Sequence, residues 1–431
     1  MRTSLDPAHV FEALDALIEP NNTLLAANPG DAIDRQPVHV VYGGAHLFKA
    51  HTAARLGELA RAHFREHAPT PEALAALMGL APALAATVHA NVAAKLEREP
   101  VEDYRIDFED GYGARPGPEE DRAAIAAAYE VAAGLSAGSL PPFIGIRTKS
   151  MADETKRRAI RTLDLFVSAL IDRGGGRLPP GFVVTLPKVQ LVAHVAVFVE
   201  LIEALERRNG LPEGAVRLEL MIETSHALMA ADGTCPLPAL VRAGRGRVRG
   251  VHFGAYDYTA SLGIAAPDQH LHHPACDHAR TSMQQALAGT GVFLSDGATT
   301  QLPVGGPEAV HAAWRNSFHN ITHALQHGYR QGWDLHPAQI PVRYVASHAY
   351  YLAGKAAMSE RLSKFLENAA QATLVGDQFD DAATGHGLLN WFRHAYNCGA
   401  VDGRDLHLAG LSTDDLRTRS FSALLANRRR P

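Results

Sequence analysis

The chain has 431 residues, 41 basic against 46 acidic side chains and 46% hydrophobic residues, the make-up of an ordinary globular protein. A formal charge of −5 leaves no basic footprint for nucleic acid, and no apolar run reaches the ~18 residues a spanning helix needs. Three cysteines, Cys235, Cys276 and Cys398, lie too far apart for a disulfide framework or a CxxC zinc pattern. The first residues, MRTSLDPAHVFEALDALIEP, mix acids into their apolar positions and lack a signal-peptide core, so the cytoplasm is the expected compartment. The closing Arg428, Arg429 and Arg430 read as a solvated tail.

Taken in chain order, residues 1–37 read as a helix followed by a turn-rich connector, EPNNTLLAANPGD. Short β-rich runs then alternate with longer segments of helical period. The runs are VHVVYGG from Val38, YRIDFED from Tyr104, FIGIRT from Phe143 and FVVTLPKV from Phe182. RLELMIET from Arg217, RVRGVHFGAYD from Arg247, GVFLSDG from Gly291 and GWDLHP from Gly332 complete the series. Strands alternating with helices predict βαβ units and a parallel sheet, and eight of them predict a closed (β/α)8 TIM barrel over residues 38–345. An open doubly wound sheet is the rival, but no strand is followed by GxGxxG or a Walker-type loop. The connection from Gly43 to Glu102 has room for two or three helices, and residues 346–431 read as a helical C-terminal extension.

In a barrel, chemistry stands at the C-terminal ends of the strands. Those ends carry Asp107, Glu109 and Asp110, then Arg147, Lys188, Glu223, Asp257, Asp296, and finally Asp334 with His336. A ring of mixed charge around one mouth is poorly explained by solubility. Several carboxylates with few histidines favour a hard, oxygen-loving cation, Mg2+ or Mn2+. Glu223 and Asp257, at adjacent strand ends, suit direct ligation, and the strand-two acids suit hydrogen bonds to the metal's waters. Arg147 offers a planar fork for a substrate carboxylate or an enolate oxygen, and the Gly254–Ala255 turn offers backbone N–H groups to the same anion. A rim lysine such as Lys188 is a Schiff-base candidate, but an acid-rich rim keeps it charged; substrate binding is the better expectation. His46, in the GGAHLF loop, is a candidate base behind a water activated by the strand-two acids. His336 lines the mouth or closes the barrel by a hydrogen bond, and Asp296 before Gly297 is a turn former or a supporting acid.

The motifs DFEDGYGARP, IRTK, LPKV, MIET, FGAYDY and WDLHPAQI, in this order, resemble the HpcH/HpaI aldolase/citrate lyase β-subunit family of the phosphoenolpyruvate/pyruvate barrel superfamily. The resemblance covers roughly residues 38–345. It implies a Mg2+-dependent carbon–carbon lyase in which Glu223 and Asp257 bind the metal, Arg147 binds the substrate's carboxylate, and Asp107, Glu109 and Asp110 hold the metal's waters. It also implies a small 2-oxo or 3-hydroxy carboxylate substrate, coenzyme A in thioester form, and a homo-oligomer, a trimer or hexamer. DFED followed by LPK and IET is similar to malate synthases as well, which makes a condensing enzyme or thioesterase the alternative. A non-catalytic barrel that senses a small anion is a third reading. The chain departs from the family at Tyr256, where an acid is usual, in its long connection after the first strand, and in its C-terminal extension.

The cluster HLHHPACDH matches no standard zinc spacing, and Pro274 reads as the start of a helix after a surface loop. His311, His319, His323 and His327 fall on one helical segment and read as packed or solvated faces.

Overall fold

A computed structural model describes residues 7–367, 373–375, 378–380, 382–418, 421 and 424–425; the arginine tail lies outside them. Eight parallel strands close into a barrel: β1 His39–Gly44, β2 Asp103–Asp107, β3 Phe143–Arg147, β4 Val183–Leu186, β5 Arg217–Ile222, β6 Val248–Phe253, β7 Phe293–Ala298 and β8 Gln331–Asp334. All eight coincide with the predicted runs, and β8 pairs back onto β1, which leaves the barrel without an edge. The connection after β1 holds three helices, Thr52–His67, Pro71–Met78 and Pro82–Arg98. No single helix among the described residues is long and apolar enough to cross a membrane.

The two faces of each strand do different work. Side chains alternate along a strand, so Asp103, Arg105 and Asp107 share one face of β2. That face points inward, because Arg105 reaches across the barrel to Glu219 of β5 at 2.7 Å and to Thr185 of β4 at 3.0 Å. The barrel interior is therefore filled partly by a hydrogen-bonded charge network rather than by branched aliphatics alone. Tyr104 and Ile106, on the other face, are buried among the surrounding helices. Breaking such a buried pair by removing one partner costs about 3–5 kcal/mol, which makes the interior intolerant of single changes.

The same alternation moves two expected rim acids. Trp333 packs against Tyr42 of β1, with ring centroids 4.2 Å apart, so its neighbour Asp334 faces the helix layer. There Asp334 accepts from Arg343 at 2.7 Å and meets His39 at 3.3 Å. Asp296 likewise pairs with Arg280 of the helix Pro274–Leu287, at 3.0 and 3.1 Å. Both acids pin helices to the sheet rather than line the mouth.

The long helix Ile340–Glu367 runs without interruption across residue 345, so the last barrel helix and the C-terminal extension are continuous. The connector before β1 crosses the opposite end of the barrel, with Gln36 donating to the Leu294 carbonyl and Arg35 bridging Glu99 and Glu102. A cavity of about 600 Å3 lined by Asp34, Arg217, Arg249 and Phe293 lies at this N-terminal end, away from the charged strand ends.

Candidate active site

β2 and β3 pair so that Asp107 stands beside Arg147, the last residue of each strand. Register thus places an acid and a guanidinium together at the mouth, both buried. Asp107 grips the arginine bidentately, taking Nε at 2.8 Å and Nη2 at 2.6 Å. Backbone N–H groups of Glu109 and Gly111 donate to the same carboxylate at 2.9 and 2.8 Å, so the turn after β2 is wound around it. The third guanidinium nitrogen, Nη1, points toward Glu109 at 2.9 Å and Asp110 at 3.5 Å. The guanidinium carbon lies over the packed pair Tyr42 and Trp333, 5.0 and 5.2 Å from their ring centroids.

The strand-two acids have different neighbours. Asp107 is committed to Arg147, while Glu109 and the exposed Asp110 also face Lys188. Lys188 Nζ meets Glu109 at 2.5 Å and Asp110 at 3.5 Å. Burial would by itself depress the lysine's pKa; the hydrogen bond to Glu109 and the charges of Glu109, Asp110 and Asp257 outweigh it and raise it. A lysine held so firmly charged is a poor Schiff-base nucleophile and a good electrostatic partner for an anion.

Lys188 also contributes its backbone. Its φ of 51° lies in the left-handed region, unusual for a residue other than glycine and costing about 1–3 kcal/mol. In that conformation its N–H donates to Glu223 Oε1 at 2.6 Å. Glu223, just past the end of β5, is buried and its carboxyl pKa is pushed up to about 8. Burial is the first cause and the negative charge of Asp257 the second, with Arg147 pulling the other way. Asp257 itself is exposed, in the first turn of the short helix Ala255–Ser261 after β6. Arg147, Glu109, Lys188 and Glu223 are thus linked contact by contact, and the charge of Asp257 raises the pKa of both Glu223 and Lys188.

Gly254 is required here for space rather than as a donor. Its N–H is already given to the Ile222 carbonyl at 3.0 Å. A Cβ at this position would fall 2.4 Å from Glu223 Cβ and 2.5 Å from Oε2. Ala255 opens the following helix with its side chain buried. Gly254→Ala is accordingly expected to displace the Glu223 carboxylate and lower activity by about 10- to 100-fold, the cost of misplacing a reacting group by an ångström. Unchanged kinetics with the alanine in place would show that Glu223 need not sit where it does.

His336, expected either to line the mouth or to close the barrel by a hydrogen bond, caps a turn. Its Nδ1 accepts from the Ala338 N–H at 3.2 Å while Gln339 Oε1 accepts from the His336 N–H at 3.1 Å, and its ring meets that of His63. The bond across to the segment after β7 comes from Gln339, which donates to the Thr299 carbonyl at 2.8 Å. His46 lies exposed on the turn Ala45–Leu47 with its ring against Tyr112. Tyr256, the departure in the GAYD motif, donates to the Ala298 carbonyl at 2.9 Å and ties the β6 loop to β7. The aromatic pair Tyr42 and Trp333 was not singled out from the sequence. Both leave a buried polar atom, Tyr42 Oη and Trp333 Nε1, without a hydrogen-bond partner beside Arg147. The signal available was the alternation of β8, which sends Trp333 inward once Asp334 is turned out.

Several solved structures share this fold. A citrate lyase from Burkholderia xenovorans LB400 is similar at 22% identity with a TM-score of 0.55, covering 74% of this chain and 91% of that one. The protein CitE from Mycobacterium tuberculosis, in complex with magnesium, acetoacetate and coenzyme A, is 17% identical with a TM-score of 0.50, over 84% of this chain and 99% of that one. A malate synthase from Haloferax volcanii is 14% identical with a TM-score of 0.48, over 85% and 90% of the two chains. At such identities the likeness is one of fold. No curated protein matches the sequence. Residues 17–424 match the profile of DUF6986, a domain of unknown function. That match spans most of the chain, which therefore belongs to the DUF6986 family.

Proposed function

We propose that the chain is a Mg2+-dependent carbon–carbon lyase, or a condensing enzyme of the same type, acting on a small 2-oxo or 3-hydroxy carboxylate at the C-terminal mouth of the barrel. The observation that carries this reading is the Glu223 carboxyl. It receives a backbone N–H rather than a basic side chain, and burial first, then the charge of a second carboxylate, Asp257, push its pKa up to about 8. Two acids arranged to repel each other, with cations reserved for other neighbours, form the donor set a hard divalent ion takes. When bound there, Mg2+, or Mn2+ in its place, would supply Lewis-acid polarisation of a carbonyl oxygen.

The chain's own residues would do the rest. Arg147, locked by Asp107 and packed beside the Tyr42–Trp333 pair, would present Nη1 to a substrate carboxylate or to the oxygen on which charge develops. Because the guanidinium is oriented before substrate arrives, it needs no reorganisation as that charge forms. Lys188 adds a second fixed positive charge beside Glu109 and Asp110, and these two acids would hold the water through which the hydroxyl proton leaves in the cleavage direction. The similarity in fold to CitE, solved with magnesium, acetoacetate and coenzyme A, supports the same class of ligands, including a thioester, for this chain. A homo-oligomer, as in the resembling family, is part of the same proposal.

Crystals of the protein soaked with Mg2+ and oxalate, a mimic of pyruvate enolate, test the reading. One metal ligated by Glu223 and Asp257, with oxalate facing Arg147, is the expected density. A metal bound elsewhere, or oxalate bound without one, would refute it.

A further inference from the structure

Outside the mouth, histidines gather between the helices Pro274–Leu287 and Pro307–Gln326. Asp277, His323 and His327 bring their ligand atoms within 4.8 Å of one another. The sequence accounts for the meeting: His323 and His327 are four residues apart and so share one helix face, while Asp277 stands in the first turn of the neighbouring helix. His323 Nε2 lies 2.8 Å from Asp277 Oδ1, and His327 Nε2 lies 3.9 Å from the same oxygen. From the loop before, His272 stacks on His319 and tilts onto His323, with centroids 4.3 and 4.4 Å apart. Its Nε2 is buried without a hydrogen-bond partner.

His327 Nδ1 lies 3.0 Å from the carbonyl oxygen of His323, an atom that only accepts, so Nδ1 carries a proton and Nε2 is the nitrogen turned toward Asp277. A backbone carbonyl fixing the tautomer from behind is also how metal-binding histidines are commonly oriented. Arg280 is shared by two carboxylates, Asp277 at 2.7 Å and Asp296 at 3.0 Å, so Asp277 joins the cluster to the end of β7.

We propose that Asp277, His323 and His327 form a binding site for a first-row transition metal of the zinc class, with His272 beside them as the candidate fourth ligand. Imidazoles with one carboxylate suit Zn2+ and not Mg2+, so this site is chemically separate from the mouth. Bound there, the ion fastens two outer helices and the 270–273 loop to each other. Through Arg280 and Asp296 it also braces β7.

The test uses the full chain without an affinity tag, stripped by a chelator and titrated with Zn2+ against a chromogenic indicator. One tight equivalent and a rise in melting temperature are expected. His327→Gln and His323→Gln should each weaken binding by at least the about 10–100-fold typical of losing a supporting partner, and should abolish the thermal shift. Metal-free melting and circular dichroism establish that each variant is folded; either folded variant suffices. The His63, Glu66 and His67 group is the internal control, and His63→Ala should leave the equivalent intact. Absence of zinc uptake by the wild type, binding unaltered in a folded variant, or loss that follows His63 would each overturn the proposal.

Discussion

Glu223→Gln is expected to abolish Mg2+ binding and activity while making the metal-free protein less sensitive to alkaline pH. In the folded metal-free protein the carboxyl has a pKa of about 8, raised first by burial and then by Asp257. In the unfolded chain it ionises near the ordinary glutamate value of about 4.3. Between these limits the folded state holds a proton that the unfolded state has lost. This group's contribution to stability is therefore complete below about pH 4 and declines, by up to about 1.4 kcal/mol per pH unit, until pH passes the folded pKa. The melting temperature of the metal-free wild type should carry this decline between pH 5 and 8. The glutamine, which keeps an oxygen for the Lys188 N–H and cannot ionise, should remove that component.

The same proton competes with the metal. Ligation requires the carboxylate, so Mg2+ affinity should rise by up to about tenfold per pH unit between pH 6 and 8 and level off above that. Calorimetry in buffers of different ionisation enthalpy would register the released proton. A pH-independent affinity, or Mg2+ bound equally well by Glu223→Gln, would remove Glu223 from the proposed metal site.

Arg147→Lys should weaken oxalate binding in the presence of Mg2+, and lower kcat/KM on the physiological substrate, by about 100-fold, equivalent to about 2.7 kcal/mol. A lysine keeps the charge but cannot occupy the two positions that Asp107 holds at 2.8 and 2.6 Å, nor offer a planar group to the rings of Tyr42 and Trp333. Asp107→Asn should produce a loss of similar size because the fork is then no longer anchored. The double variant should lose little beyond either single one, since the two side chains act as one unit. Additive losses would mean that Asp107 serves the reaction by some other route than holding Arg147. Deleting the charge entirely, as in Arg147→Met, would strand buried carboxylates and cost about 3–5 kcal/mol of stability, whereas the lysine should cost less.

The architecture was legible in the sequence because each barrel strand is covered on both faces and reads as a compact β-rich run between helical segments. The order of the motifs placed Asp107, Arg147, Lys188, Glu223 and Asp257 at successive strand ends, and any barrel closed from those strands brings such ends together. What each residue does there depended on details that run length does not record. Which face of β7 and β8 points inward turned Asp296 and Asp334 toward Arg280 and Arg343, since a shift of one residue reverses a side chain. The register of β2 against β3 committed Asp107 to Arg147, and Glu109 came to lie against Lys188. A left-handed backbone at Lys188 and the missing side chain at Gly254 shaped the pocket around Glu223, through contacts between strands distant in sequence. Strand identity is a local property of hydrophobic patterning and follows from the chain read in order. Charge partnership and proton affinity are set by distances across the closed barrel, and only the tertiary structure could decide them.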